Sequence, residues 1–196
     1  MTANTQPFEI LSGVGTIYKA PVGTAFPEVN ATPVAPWVSL GATSGGVTVV
    51  PEQTTKLIRD DQHTGPRKAL RPEEMLSIET NLLNATLENI AILMGNTVTD
   101  TAAGAGTIGT RKIALRRGPT VTEYALLFRN EHGSPYGDWP AQYQVPRGFF
   151  DGPAGQPWKK DDNILLPVKF VALEDDDASA DAERFGHFIA QDASAT

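Results

Sequence analysis

Cysteine is absent from the 196 residues, which excludes a disulfide framework, thiol catalysis, iron–sulfur ligation and cysteine-based zinc sites. The three histidines, His63, His132 and His187, are too scattered for HExxH or any paired-ligand spacing. No run approaches the ~18 consecutive apolar residues a spanning helix needs, so no membrane insertion is expected. The opening MTANTQPFEILSGVG has neither a basic n-region nor an apolar h-region, and no secretory leader is expected. Positive charge is in deficit: Lys+Arg 16 against Asp+Glu 23 gives a net charge of −7. A free-standing nucleic-acid binder instead shows a net basic domain or a dense basic stripe.

Turn-forming residues are plentiful. With 18 glycines and 15 prolines, the chain is divided into many short segments, which argues against a helical bundle. Its length suits a single domain over 1–196, at about 100–200 residues per domain, and 40% hydrophobic content allows a buried core. The charge is unevenly placed. Residues 161–196 hold nine acids against Lys169 and Arg184, so this end carries the whole net charge and the first 160 residues balance. An acidic segment, 174–196, is either a solvated tail or a surface for basic partners.

Along the chain the pattern predicts a strand at about 8–19, then a Pro/Gly-rich arm at 20–36 in which no regular element survives. Trp37–Gly41 and Val47–Val50 read as a hairpin turning around 43–46. The stretch 51–74 is polar and interrupted by Gly65-Pro66 and Pro72, and reads as a long loop of the kind that carries function. Met75–Leu82 alternates as a half-buried strand. A helix is predicted over about 84–94, capped by Asn84 and closed by Gly95, with Leu83, Leu87, Ile90, Ala91 and Met94 as its apolar stripe. Beyond a small-residue loop, strands are expected at Lys112–Arg116, Thr120–Arg129, Gln142–Phe150, Ile164–Leu173 and Arg184–Ala190. The expected class is all-β, a β-sandwich or barrel with one flanking α-helix and long loops or arms.

The search for chemistry is mostly negative. Gly104-Ala-Gly106-Thr-Ile-Gly109 matches GxGxxG, but polar TVTDTAA precedes it and strand-like RKIALRR follows, so the helix N-terminus that would hold a pyrophosphate is missing. Glu174-Asp175-Asp176-Asp177 lacks the alternating ligands of an EF-hand loop. No GxSxG elbow occurs. Neither a catalytic residue nor a cofactor or metal is expected. The aromatics Tyr136, Trp139, Tyr143, Phe149, Phe150 and Trp158 leave open an alternative, a monomeric β-sandwich carbohydrate-binding module. A β domain with a long polar loop and no catalytic constellation is otherwise better explained by assembly than by turnover.

The order of features resembles a known family. Gly15–Lys19, Trp37-Val38-Ser39-Leu40-Gly41 and Gly45-Gly46-Val47 resemble the start of the major tail (tail tube) proteins of long-tailed bacteriophages. The section from Asp61-Gln62 through Met75–Leu82 to Thr86–Ile90 extends the resemblance across about residues 8–95. It implies a virion protein that self-assembles into hexameric rings, stacked into a tube that conducts DNA into the host without binding it tightly. It implies tape-measure, tip and terminator proteins as partners, the virion tail as location and the host cytoplasm as the place of assembly. On this reading 51–74 is the assembly loop, with Asp60, Asp61, Gln62, His63, Arg67, Lys68 and Arg71 as contact residues. Two clusters, Arg111, Lys112, Arg116 and Arg117 against Glu174, Asp175, Asp176 and Asp177, are expected to face each other across a subunit contact.

Overall fold

The computed structural model describes residues 10–11, 13–152, 155–156, 158, 160–161 and 163–194. Seven strands form one antiparallel path: β2 (Val38–Ser39), β1 (Gly15–Ala20), β7 (Glu123–Asn130), β8 (Ala141–Phe150), β9 (Leu166–Ala172), β4 (Lys68–Leu82) and β3 (Thr43–Ile58). A further strand, β10 (His187–Ala190), pairs with the first half of β8, while β9 pairs with its last residues. The long strand β8 therefore serves two partners on one edge.

The path curls. Strands β1 and β3 lie far apart along it yet touch, because the Leu40–Thr43 segment bridges them. The Leu40 amide donates to the Ile17 carbonyl at 3.0 Å, and the Leu83 amide donates to the Ala42 carbonyl at 2.8 Å. Alternation then puts one side of β1, β4, β7, β8 and β9 inside the curl. Ile17, Ile78, Leu82, Leu126, Val145, Leu166, Val168 and Phe170 are all buried there. Removing so much apolar surface from water, at about 25 cal/mol per Å2, is the main force holding the body.

Strand β9 falls within the strand expected at Ile164–Leu173 and alternates in burial. Leu166, Val168, Phe170 and Ala172 are buried and the residues between them half-buried, so the outer face is less covered than two apolar faces suggest. Pro167 is opposite Asn81 of β4, and β8 pairs with β9 only from Phe170 onward. Its missing N–H is thus tolerated where the strand has one neighbour.

The helix α1 (Leu87–Met94) closes one end of the curl. Its cap is Thr86, whose side-chain oxygen accepts from the Asn89 amide at 3.2 Å, and not Asn84 as expected. Asn84 makes a longer-range contact instead, its Oδ1 accepting from the Ala42 amide at 2.8 Å. Buried Asn89 donates from Nδ2 to the carbonyls of Leu40 and Asn84, pinning the helix start to the bridging segment. The buried stripe is Asn89, Ile90, Ala91 and Leu93, whereas Leu83 is exposed.

The largest departure lies in 38–82. Val38–Ser39 pairs with β1, and no hairpin turns at 43–46. Gly45 and Gly46, both with φ near +80°, form a bulge inside β3 between the pairs Ser44–Asn81 and Val47–Thr80. Left-handed backbone at two consecutive positions is what glycine permits cheaply. The expected loop 51–74 is instead the outer half of a long hairpin, paired from Thr43↔Leu82 to Ile58↔Lys68. Pro72 does not break β4 because it falls at a second bulge, between the pairs Thr54–Glu73 and Lys56–Leu70.

The small-residue loop also holds structure. Strands β5 (Val98–Thr101) and β6 (Thr110–Ile113) pair as a separate hairpin, and Gly104–Thr107 forms its tight end. The strand expected at Lys112–Arg116 is thus shorter and earlier, and no helix follows the GxGxxG match.

Candidate assembly interface

Among the described residues the outer hairpin is a two-stranded ribbon with no third strand and no core. Every residue of Pro51–Ile58 and of Lys68–Glu74 is exposed. At 3.2–3.4 Å per residue the ribbon extends about 25 Å beyond the sheet that roots it. Of the expected contact residues, Asp60, Asp61, Gln62, His63 and Arg67 lie in the connecting turn, while Lys68 and Arg71 lie on β4.

The turn is organised by polar contacts. His63 Nδ1 is 2.8 Å from Asp60 Oδ1, Arg67 Nε is 3.5 Å from Asp60 Oδ2, and Arg59 donates to the Thr64 carbonyl at 3.2 Å. Arg71 pairs with Glu74 at 2.7 Å. Such exposed pairs contribute only about 0.2–1 kcal/mol each. Among these charges sit Leu57, Ile58 and Leu70, 50%, 41% and 41% exposed. A two-stranded ribbon is marginally stable in water at best, and this one also presents apolar side chains at its far end. The signal is present in the sequence as Leu57-Ile58 and Ala69-Leu70 inside an otherwise polar stretch.

The two charge clusters find partners within the chain. Arg111 pairs with Glu88 at 2.6 Å and with Asp100 at 3.3 Å, and Arg117 donates to the Gly152 carbonyl at 2.9 Å. Lys112 is exposed on β6 and Arg116 beyond its end. On the acidic side Arg184 gathers Glu174 at 3.0 Å, Asp176 at 3.4 Å and Asp181 at 3.1 Å. Its hydrogen bond to Glu174 raises the guanidinium above its ordinary pKa. Among the described residues no ion pair or hydrogen bond joins the two clusters within one copy.

The arm 20–36 lies against the outer face of β7 and β8. Phe26 packs on Trp37 with centroids 5.1 Å apart, over buried Ala20, Ala125 and Leu127. Gln142 donates to the Pro27 carbonyl at 2.8 Å, and buried Arg129 donates to the Val29 carbonyl. Arg129 also makes a bidentate contact with Glu131, both bonds at 2.9 Å. That contact holds the Glu131 carboxyl below its ordinary pKa. The arm is thus fastened by long polar side chains rising from the sheet.

The aromatics of 136–158 do not converge on a platform. Phe150 is in the core, edge-on to Phe170. Tyr143 stacks between Phe128 and Phe188, whereas Tyr136 and Trp158 are exposed elsewhere. Phe149 and Phe150 point to opposite sides of β8. No helix among the described residues is long and apolar enough to cross a membrane.

The family model described as phage tail tube protein matches residues 1–196. A search of curated proteins gives no match.

Proposed function

We propose a specific mode of assembly for this chain, which belongs to the phage tail tube protein family and is therefore a structural component of the virion tail and not an enzyme. In this reading copies of the chain self-assemble into hexameric rings, and the rings stack into a hollow tube that conducts DNA into the host. The observation that carries it is the ribbon 51–74, fully exposed and tipped with Leu57, Ile58 and Leu70. Covering such a ribbon with neighbouring subunits would supply the burial it lacks in one copy.

The charge balance supports the conduit role. A net charge of −7 per copy gives the assembly no overall attraction for phosphate, so DNA passes without tight binding. Tape-measure, tip and terminator proteins would be its partners in the tail. Lys112 and Arg116, with Arg111 and Arg117 beside them, remain candidates for pairing with Glu174–Asp177 of a neighbour, their weight falling on Lys112 and Arg116. Negative-stain imaging of the concentrated full-length protein tests the reading. Tubes with six-fold end views are expected, and monomers at every concentration would contradict it.

A further inference from the structure

The ribbon's two ends carry complementary surfaces. At its base, where it joins the curled sheet, an apolar groove of about 430 Å3 is lined chiefly by Val49, Pro51, Leu76, Tyr143, Phe185 and Phe188. Phe188 packs on Tyr143 with centroids 4.5 Å apart yet is 41% exposed. The groove wall continues directly into segment 174–184, which holds six acids against the single Arg184. That one guanidinium reaches Glu174, Asp176 and Asp181, so the segment keeps a strong negative excess. At the ribbon's tip the balance is reversed. Lys56, Arg59, Arg67 and Lys68 stand against Asp60 and Asp61, Arg71 being paired with Glu74, around the exposed Leu57, Ile58 and Leu70.

We infer that the ribbon tip of one copy seats in the groove at the ribbon base of the next, placing Leu57, Ile58 and Leu70 against Phe185 and Phe188 and the basic residues against the neighbour's 174–184 segment. This rests on the reading of the ribbon as the assembly element. A chain cannot fill its own groove, since tip and base are separated by about 25 Å of paired strand. The occupant is therefore a second copy. A tip-to-base contact is heterologous, and a heterologous contact that does not close generates an open stack. Apolar burial gives the contact its strength, while the opposed charges set its register and its approach.

The lack of cysteine makes the test clean. The full-length variant carrying Leu57→Cys with Phe188→Cys is oxidised under assembly conditions and run on a non-reducing gel. Intramolecular linkage is excluded, since cysteines whose Cα atoms are more than about 7 Å apart cannot bridge. A ladder of covalent multimers is expected, at least tenfold stronger than from Leu57→Cys with Arg116→Cys. Because Phe188→Cys could impair folding, a second pair at exposed positions, Lys68→Cys with Glu183→Cys, reads the same contact. Tubes that form from either tip-to-groove pair without a ladder would overturn the docking. Equal ladders from the Arg116 control would overturn it as well. If deleting the ribbon abolishes tubes while neither tip-to-groove pair links, the groove is wrong and the ribbon's assembly role stands. If the ribbon-deleted chain still forms tubes, the underlying reading is the one that fails.

Discussion

Strands β3 and β4 pass through two environments without a break in their pairing. In the inner half, β4 lies between β3 and β9, and Ile78 and Leu82 are buried in the curled core. In the outer half the same two strands continue with, among the described residues, no third strand and no buried residue. The backbone hydrogen bonds are equivalent, so the ladder cannot explain why one half is stable in water. A hydrogen bond contributes only about 0.5–1.5 kcal/mol net, because water offers the same groups partners. What differs is apolar burial. The inner half obtains it within the chain, and in the proposed assembly the outer half obtains it from a neighbour.

The comparison breaks most visibly in the core. Leu126→Ala should destabilise the monomer by about 2–5 kcal/mol, because Leu126 is fully buried and its removal leaves a cavity. Chemical denaturation of the folded chain measures this, and a cost below about 1 kcal/mol would mean the curl is loosely packed. Gly186→Ala should act through backbone on a similar scale. Gly186 has φ +96° and an added Cβ would lie 1.8 Å from the Gln144 carbonyl oxygen, so β10 would have to leave β8.

How much of this is legible in the sequence depends on where burial alternates. Met75–Leu82 and 142–150 show apolar and polar residues in turn because one face meets the core, and their strands are readable. The outer ribbon has solvent on both faces, so period-2 contrast vanishes and Gly65-Pro66 and Pro72 read as breaks. Pairing from β1 to β7 across about a hundred residues leaves no local mark, and neither does the groove assembled from β3, β4, β8 and 185–188. Asn84 reads as a cap because its true partner, the Ala42 amide, is distant in sequence. The apolar pairs at the ribbon tip are visible, but their meaning depends on their being exposed together.

The arm gives a middle-sized effect. Arg129→Met should cost about 1–3 kcal/mol by leaving the Val29 carbonyl without its donor, and should open 21–36 to limited proteolysis. Acid should act in the same direction. Glu131 and Glu123 both titrate below their ordinary range, each chiefly through a hydrogen bond from an arginine, Arg129 and Arg147 respectively. Carboxylates with depressed folded pKa values stabilise the native state above their unfolded pKa, about 4.3 for glutamate. That contribution is lost as pH falls through the lower folded value. Melting temperature should therefore be level from neutral pH to about 5 and decline below about 4, less steeply in Glu131→Gln. A decline already complete at pH 5 would point to other groups.

The smallest expected effect on the monomer is at the tip. Leu57→Asp with Leu70→Asp should change its stability by under about 0.5 kcal/mol, as for other exposed positions, while reducing tube formation severely. Comparable losses of both would place the ribbon inside the folding unit and dissolve the contrast with the core.

The most direct measurement removes the outer half altogether. Gln53 and Glu74 face each other in the hairpin, so replacing 54–73 with Asn-Gly leaves a permissible tight turn. Sedimentation and negative-stain imaging of this chain are predicted to show a folded monomer, with the parent's melting temperature and no tubes at any concentration. Normal tubes from the shortened chain would contradict the account.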